Sequence, residues 1–433
     1  MGANALKICV MGGGSSYTPE LIEGFIDKRR ELPVKSIALM DIDQRKLEIV
    51  GGLARRMVRA AEVDIEGLTT EDQEQAIEGA KFVINQIRVG GMAARILDER
   101  IPPEFNIIGQ ETTGPGGFAK ALRTIPVVLN IAQTIEKLSP EAILINFTNP
   151  AGLITEALVR YSSIPVIGLC NLPIGAEMRL STQLGVERSR LRLDWVGLNH
   201  LNWIRGATLN GNDVWDQVFE QELAEARTRG EDGWHFSADL LESLGLIPCG
   251  YLNYYYNHDL VLANQKKATK TRGEEVQGIE NQLMAMYQDP GLTEKPKLLE
   301  QRGGAYYSKA AVDLISAIAN NKGEIHIVNT ANRGAISNLP PEVVVEIPCM
   351  INADGAHPLK TEALPVEIRG LVQAVKAYEE LAAVAGAEGK RNQALLALLA
   401  HPLTRSFQAA QGLLEALLKA HHVYLPQFRP GGQ

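Results

Sequence analysis

KICVMGGGSSYTPE, residues 7–20, is the stretch that decides the fold. Lys7–Met11 is a short apolar run and reads as a buried strand. Gly12, Gly13 and Gly14 break it. Thr18-Pro19-Glu20 then opens a helix: threonine can cap, proline fits the first helical position, and glutamate suits the positive helix end. Strand, glycine turn and helix in that order are the setting for a dinucleotide, with its pyrophosphate at the helix N-terminus. The match to GxGxxG is incomplete because Tyr17 stands at the third glycine position. A plain tight turn is the alternative reading. Asp41 ends a second apolar run, Ser36–Met40, where an acidic residue gripping ribose hydroxyls usually lies. A carboxylate there favours NAD over NADP, and nearby Arg45 keeps a 2′-phosphate open.

Working outward, further strands are expected at Phe82–Ile87, Ala142–Phe147 and Pro165–Leu169. Helical patterns fill the gaps, as at Lys46–Ala61 and Pro126–Leu138. Strands alternating with helices predict a parallel sheet covered on both faces. Near residue 195 the texture changes. Leu193–Leu198, Glu324–Asn329 and Val343–Pro348 read as strands, and the chain from Leu364 to His422 is mostly helical. The expected fold is α/β: a doubly wound, Rossmann-like NAD-binding domain over residues 1–195, lactate/malate dehydrogenase-like, followed by a helix-rich α+β substrate and metal domain over 196–433.

The chain has 433 residues, 43 basic and 51 acidic, for a net charge of −8, with 45% hydrophobic and 22% charged residues. That is enough to bury a large core. The acidic balance argues against nucleic-acid binding. The chain shows neither an apolar run long enough to span a membrane nor a signal-peptide pattern, so a cytoplasmic location is expected. Cys9, Cys170, Cys249 and Cys349 are widely spaced and form no CxxC pair, which predicts free thiols.

Several polar clusters follow predicted strands or enter the second part. Residues 109–117, GQETTGPGG, form a glycine-rich loop with one carboxylate, Glu111. Residues 145–150, INFTNP, place Asn149 at a strand's carboxyl end, which faces the ligand crevice in such sheets. Cys170-Asn171 repeats that logic. His200 lies just past the domain change. A thiol at a strand end and this histidine could share a divalent ion, although their spacing matches no short metal signature. Two protein ligands would leave positions open for substrate and water.

The segments GGGSSYTPEL, IRVGG, IGQETTGPGG, NFTNPAG, GLCNLP, GLNHLNW, GYLNYYY and VNTANRGAISNLP occur in this order from residue 12 to residue 340. Together they resemble glycoside hydrolase family 4, and most of all its NAD- and Mn²⁺-dependent 6-phospho-β-glucosidases. The family is an exception to two-carboxylate glycosidases. The resemblance implies a redox route. NAD⁺ takes a hydride from C3 of the sugar, a tyrosine removes the C2 proton, and the C1 group is eliminated. Water then adds, and C3 is reduced again. It makes Cys170 and His200 the metal ligands and Tyr251 the base. Glu111 makes that tyrosine more basic, and Arg95, Asn149 and Arg272 contact substrate, with the arginines near the 6-phosphate. Gly12 to Ser16, including Ser15 and Ser16, and Asp41 match the cofactor turn and ribose contact. Asn171 stands where α-specific relatives commonly carry an aspartate acid, so it favours β-linked substrates such as cellobiose 6-phosphate or an aryl glucoside phosphate. The family usually forms dimers or tetramers. Competing readings are a 6-phospho-α-glucosidase or α-glycosidase of the same family, a metal-free NAD-dependent 2-hydroxy-acid dehydrogenase, and a catalytically silent nucleotide sensor.

Overall fold

In the computed structural model, which describes residues 6–229, 235–303 and 306–429, the opening run is a strand whose last four residues are buried. It lies inside a nine-stranded sheet. The strands are β1 (Leu6–Met11), β2 (Val34–Met40), β3 (Glu66–Thr70), β4 (Phe82–Asn85), β5 (Ile143–Asn146), β6 (Val166–Gly168), β7 (Leu191–Leu198), β8 (Leu201–Leu209), β9 (Asn212–Asp213), β10 (Ile247–Pro248), β11 (Glu324–Ala331), β12 (Val344–Asn352) and β13 (Gly355–Pro358). The large sheet runs β13-β12-β11-β6-β5-β4-β1-β2-β3, and a small sheet runs β10-β8-β7 with β9 on β8. From β3 to β6 every pairing is parallel. The strand order reverses at β1, between β2 and β4, which is the switch point where such sheets open a crevice.

The sheet is mixed rather than wholly parallel. Three strands from the second half join it antiparallel, beginning with the pairing of Asn329 to Gly168. The boundary expected at residues 195/196 falls inside β7, and the large sheet continues across it. One register row crosses the sheet: Met40, Met11, Asn85, Asn146, Gly168, Asn329 and Glu346 are successive lateral partners. Over the parallel part this row is the carboxyl end of each strand, so its polar residues, fully buried, lie beneath the crevice. Asn85 Nδ2 donates to Asn146 Oδ1 at 3.0 Å within it.

Pro126 lies inside a helix spanning Gly114–Leu138, not at its start. A proline there leaves the carbonyl four residues back without its N–H donor. That carbonyl is Leu122 O, and Gln427 Nε2 from the C-terminal segment donates to it at 2.8 Å and to Gly386 O at 3.1 Å. Gln427→Ala should therefore destabilise the protein by about 1–3 kcal/mol, the usual cost of an unsatisfied buried acceptor; chemical denaturation checks it. Among the described residues, no helix is long and apolar enough to cross a membrane, and Cys9, Cys170, Cys249 and Cys349 are free.

Candidate active site

The glycine turn is shaped by close approach. Gly12 has φ +83°, and a Cβ on Gly13 would lie 2.7 Å from Leu39 Cβ. A side chain at either position would push the turn off the sheet. Asp41 closes the turn from the end of β2: its Oδ2 accepts the Gly14 N–H at 2.9 Å and its Oδ1 accepts the Asp43 N–H at 3.0 Å. Burial raises the Asp41 carboxyl above its ordinary range, against these two backbone donors. Ser16 is fully buried and its hydroxyl has no partner. An orphaned hydroxyl beside a side-chain-free cradle at a helix start fits a pyrophosphate. Ser15 accepts the Tyr17 N–H at 3.3 Å. Arg45 is exposed at the start of the Gln44–Ala60 helix. Tyr17, in the third glycine position, stacks on Tyr307 with centroids 5.3 Å apart, and Tyr307 meets Phe147 of the NFTNP segment at 3.9 Å. The departure from GxGxxG thus ties the turn to the crevice.

At the far side of the crevice, β6 runs out at Gly168 and delivers Cys170 just before the helix Asn171–Leu184. His200 sits in the two-residue turn between β7 and β8, with φ +62°. That left-handed backbone is uncommon outside glycine and clusters at functional sites. The turn aims His200 Nε2 at Cys170 Sγ, 3.5 Å away. Both residues are buried. Burial pulls His200 down to about 3, so its ring is neutral, and burial also pushes the Cys170 thiol up. A neutral imidazole and a thiol that ionises only beside a cation suit one divalent metal. Among the described residues no group of three or more His, Cys, Asp or Glu side chains could hold a metal, so these two residues would leave most positions to other ligands. Asn171 lies next to the pair, with its Oδ1 3.9 Å from Cys170 Sγ.

Tyr251 packs face to face on His200, with ring centroids 4.1 Å apart and planes 15° off parallel. Burial raises its phenol well above the ordinary value; Tyr254, Cys170 and Glu111 add to this, and a Thr112 hydrogen bond opposes it. Glu111 is the electrostatic hub. Its Oε2 takes Arg88 Nη1 at 2.5 Å and Lys120 Nζ at 2.9 Å, and its Oε1 lies 3.0 Å from Arg95 Nη1. Burial works against the Glu111 charge, but Arg88, Lys120 and Arg95 outweigh it and hold the carboxyl well below its usual range. Burial, then the Arg88 charge, lowers Lys120 to about 7.

The crevice therefore brings together Cys170, Asn171, His200, Tyr251, Glu111 and Arg95. Asn149 precedes a cis proline at the end of β5, its Oδ1 accepting the Ala151 N–H at 3.3 Å. Arg272 is placed differently. It is exposed, pairs with Glu275 at 3.0 Å and donates to Gln301 O at 3.1 Å. Its neighbour Gly273 does reach the cluster, giving its N–H to Glu99 Oε2 at 2.6 Å, while Glu99 Oε1 holds Arg95 at 2.8 Å. Lys120 was not foreseen from the sequence. Its signal is a lone cation in the apolar run FAKAL, where only a buried counter-charge would keep it.

The fold and site define a class: a dinucleotide-type sheet carrying a cysteine–histidine pair and a stacked tyrosine at its crevice. Residues 7–186 match the family 4 glycosyl hydrolase domain and residues 195–404 its C-terminal domain. The chain belongs to glycoside hydrolase family 4. It is 48% identical over 98% of both chains to a Bacillus subtilis protein named probable 6-phospho-β-glucosidase. It is 42% identical, covering 98% of this chain and 97% of the other, to a 6-phospho-β-glucosidase of Escherichia coli. It superposes with a TM-score of 0.90 on the 6-phospho-β-glucosidase of Thermotoga maritima solved with manganese, NAD⁺ and glucose 6-phosphate, at 37% identity and covering 97% and 99% of the two chains. A malate dehydrogenase of Plasmodium falciparum, at 13% identity and TM-score 0.56, shares the fold.

Proposed function

We propose that the protein hydrolyses 6-phospho-β-glucosides, such as cellobiose 6-phosphate, by oxidation, elimination, water addition and re-reduction in this one crevice. The observation that carries the reading is the contact series Cys170–His200–Tyr251, at 3.5 Å and 4.1 Å, on the sheet edge that also carries the glycine turn. Gly12 to Ser16 and Asp41 would hold the dinucleotide, and Cys170 Sγ and His200 Nε2 a divalent ion. When bound, NAD⁺ supplies a hydride acceptor for C3 and Mn²⁺ supplies positive charge for the C2 and C3 oxygens.

Tyr251 takes the C2 proton on its phenolate oxygen once oxidation at C3 has acidified it. Burial alone leaves this phenol protonated, and positive charge held at Cys170 and His200 favours the phenolate. Glu111 acts the other way and makes the phenolate more basic. Three cations converge on this single carboxylate. Lys120 is lowered to about 7 and Arg95 is shared with Glu99, so the site holds little net charge of its own; Arg95, a guanidinium that can make paired hydrogen bonds, is the residue nearest the role of phosphate contact. Arg272 would join it after leaving Glu275, and Asn149 would bind a sugar hydroxyl. Asn171 cannot donate a proton as an acid, which supports a β-linked substrate whose leaving group is protonated by water. Membership of a family that usually forms dimers or tetramers supports a homodimer or homotetramer. Four free thiols support a reducing, cytoplasmic setting.

The test is incubation with 4-nitrophenyl β-glucoside 6-phosphate plus NAD⁺ and Mn²⁺, either alone, or neither. Nitrophenol release that needs both, with no net NADH, is expected. Steady NADH formation from a hydroxy acid, with no nitrophenol from any glucoside phosphate, would support a dehydrogenase instead.

A further inference from the structure

Glu346 stands alone among apolar residues in Val344–Pro348 of β12 and has no exposed surface. It ends the register row that runs beneath the crevice, beside Asn329. Its carboxylate accepts four hydrogen bonds, all from neutral side chains. Asn202 Nδ2 and Trp195 Nε1 reach Oε2 at 2.7 and 3.2 Å, and Asn199 Nδ2 and Asn329 Nδ2 reach Oε1 at 2.9 and 3.0 Å. Burial raises the Glu346 carboxyl to about 7, against these four hydrogen bonds, and the four donors together fill the acceptor sites of its ionised form.

Three of those donors belong to the hairpin that presents His200. Trp195 is on β7, Asn202 is on β8, and Asn199 is the residue before His200 in the turn. Asn202 Nδ2 also closes over the turn onto Leu198 O at 3.2 Å. The other end of Asn199, Oδ1, takes the Gly152 N–H at 3.3 Å, and a Cβ on Gly152 would crowd Asn199 Cβ at 2.9 Å. Glu346 is thus the common anchor for both sides of a turn whose central residue has φ +62°. A backbone of that kind persists only where its surroundings over-determine it.

We propose that Glu346 is a positioning residue for the Cys170–His200 pair. It locks the 199–200 turn from behind and so sets His200 Nε2 against Cys170 Sγ. The inference rests on the reading of that pair as an ion site, and it extends the outer shell, whose members orient metal ligands.

Glu346→Gln tests it. The amide keeps the volume, removes the charge, and turns one acceptor into an N–H₂ facing N–H donors. Mn²⁺ binding is measured by titration, and the thiolate-to-metal absorption band is recorded with Co²⁺. The expected result is Mn²⁺ affinity lower by about 10–100-fold, the usual cost of losing an outer partner, a shifted cobalt band, and unchanged NAD⁺ binding. Unchanged Mn²⁺ affinity and cobalt band in a variant that binds NAD⁺ would overturn the proposal. If that variant does not fold, Trp195→Phe removes one donor instead; a smaller weakening in the same direction supports the proposal, and no weakening overturns it. Wild-type protein that takes up no Mn²⁺ at all would overturn the reading of the ion site itself, a failure distinct from an intact site indifferent to Glu346.

Discussion

Tyr251→Phe will lower kcat by about 10³-fold, the scale of a positioned general base, while NAD⁺ and Mn²⁺ binding persist. The substitution removes one oxygen and little else. The ring keeps its stack on His200 at 4.1 Å and its edge contact with Tyr254 at 5.8 Å, so the crevice should keep its shape. What is lost is the only atom on that ring that can hold the C2 proton. The effect belongs in kcat rather than KM, because a proton acceptor works in the transition state and not in ground-state binding. Steady-state kinetics with 4-nitrophenyl β-glucoside 6-phosphate, alongside separate binding titrations, checks it. Near wild-type turnover would remove Tyr251 as the base.

The second large effect is Cys170→Ala, which should weaken Mn²⁺ binding by more than about 100-fold, since even outer-shell partners cost 10–100-fold. Cys170 and His200 are the protein donors facing each other at 3.5 Å, so removing one takes half of the protein's share of the site. The alanine leaves a small apolar gap and removes the Sγ that accepts the Leu172 N–H at 3.5 Å, a helix-cap loss of about 1 kcal/mol, so the fold should hold. Chelation of wild-type protein should abolish activity and added Mn²⁺ restore it, whereas the variant should stay inactive at the same Mn²⁺ concentration. Unchanged Mn²⁺ dependence would exclude Cys170 as a ligand.

The strand–glycine–helix opening was legible because each part has a local signature. The apolar run, three glycines and Thr-Pro-Glu correspond to β1, a turn with φ +83° at Gly12, and a helix beginning at Thr18. The three antiparallel strands on the far edge were not. β11 and β12 read as strands, but nothing local says that Asn329 lies beside Gly168, more than a hundred residues earlier. Pro126 misled for a physical reason. Proline favours a first helical turn, and only the distant Gln427 makes it acceptable inside one. The site shows the same division. The sequence singled out Cys170, His200, Tyr251 and Glu111, and these lie in one crevice. It did not reveal Lys120 or Glu346, because a lone charge in an apolar run shows its purpose only when its partners are seen. It also grouped Arg272 with Arg95, whereas the Arg272 side chain points to Glu275 and its backbone neighbour makes the link to Glu99.

The central claim is that the glycosidic bond breaks by elimination after oxidation, with Tyr251 removing the C2 proton. Hydrolysis of an aryl 6-phospho-β-glucoside in D₂O, followed by mass and NMR analysis of the glucose 6-phosphate, tests it directly. The account predicts deuterium at C2 of the product, because the proton taken there is replaced from solvent. Product carrying only its original hydrogen at C2, at full turnover, would mean that the bond is broken by simple displacement and would contradict the account.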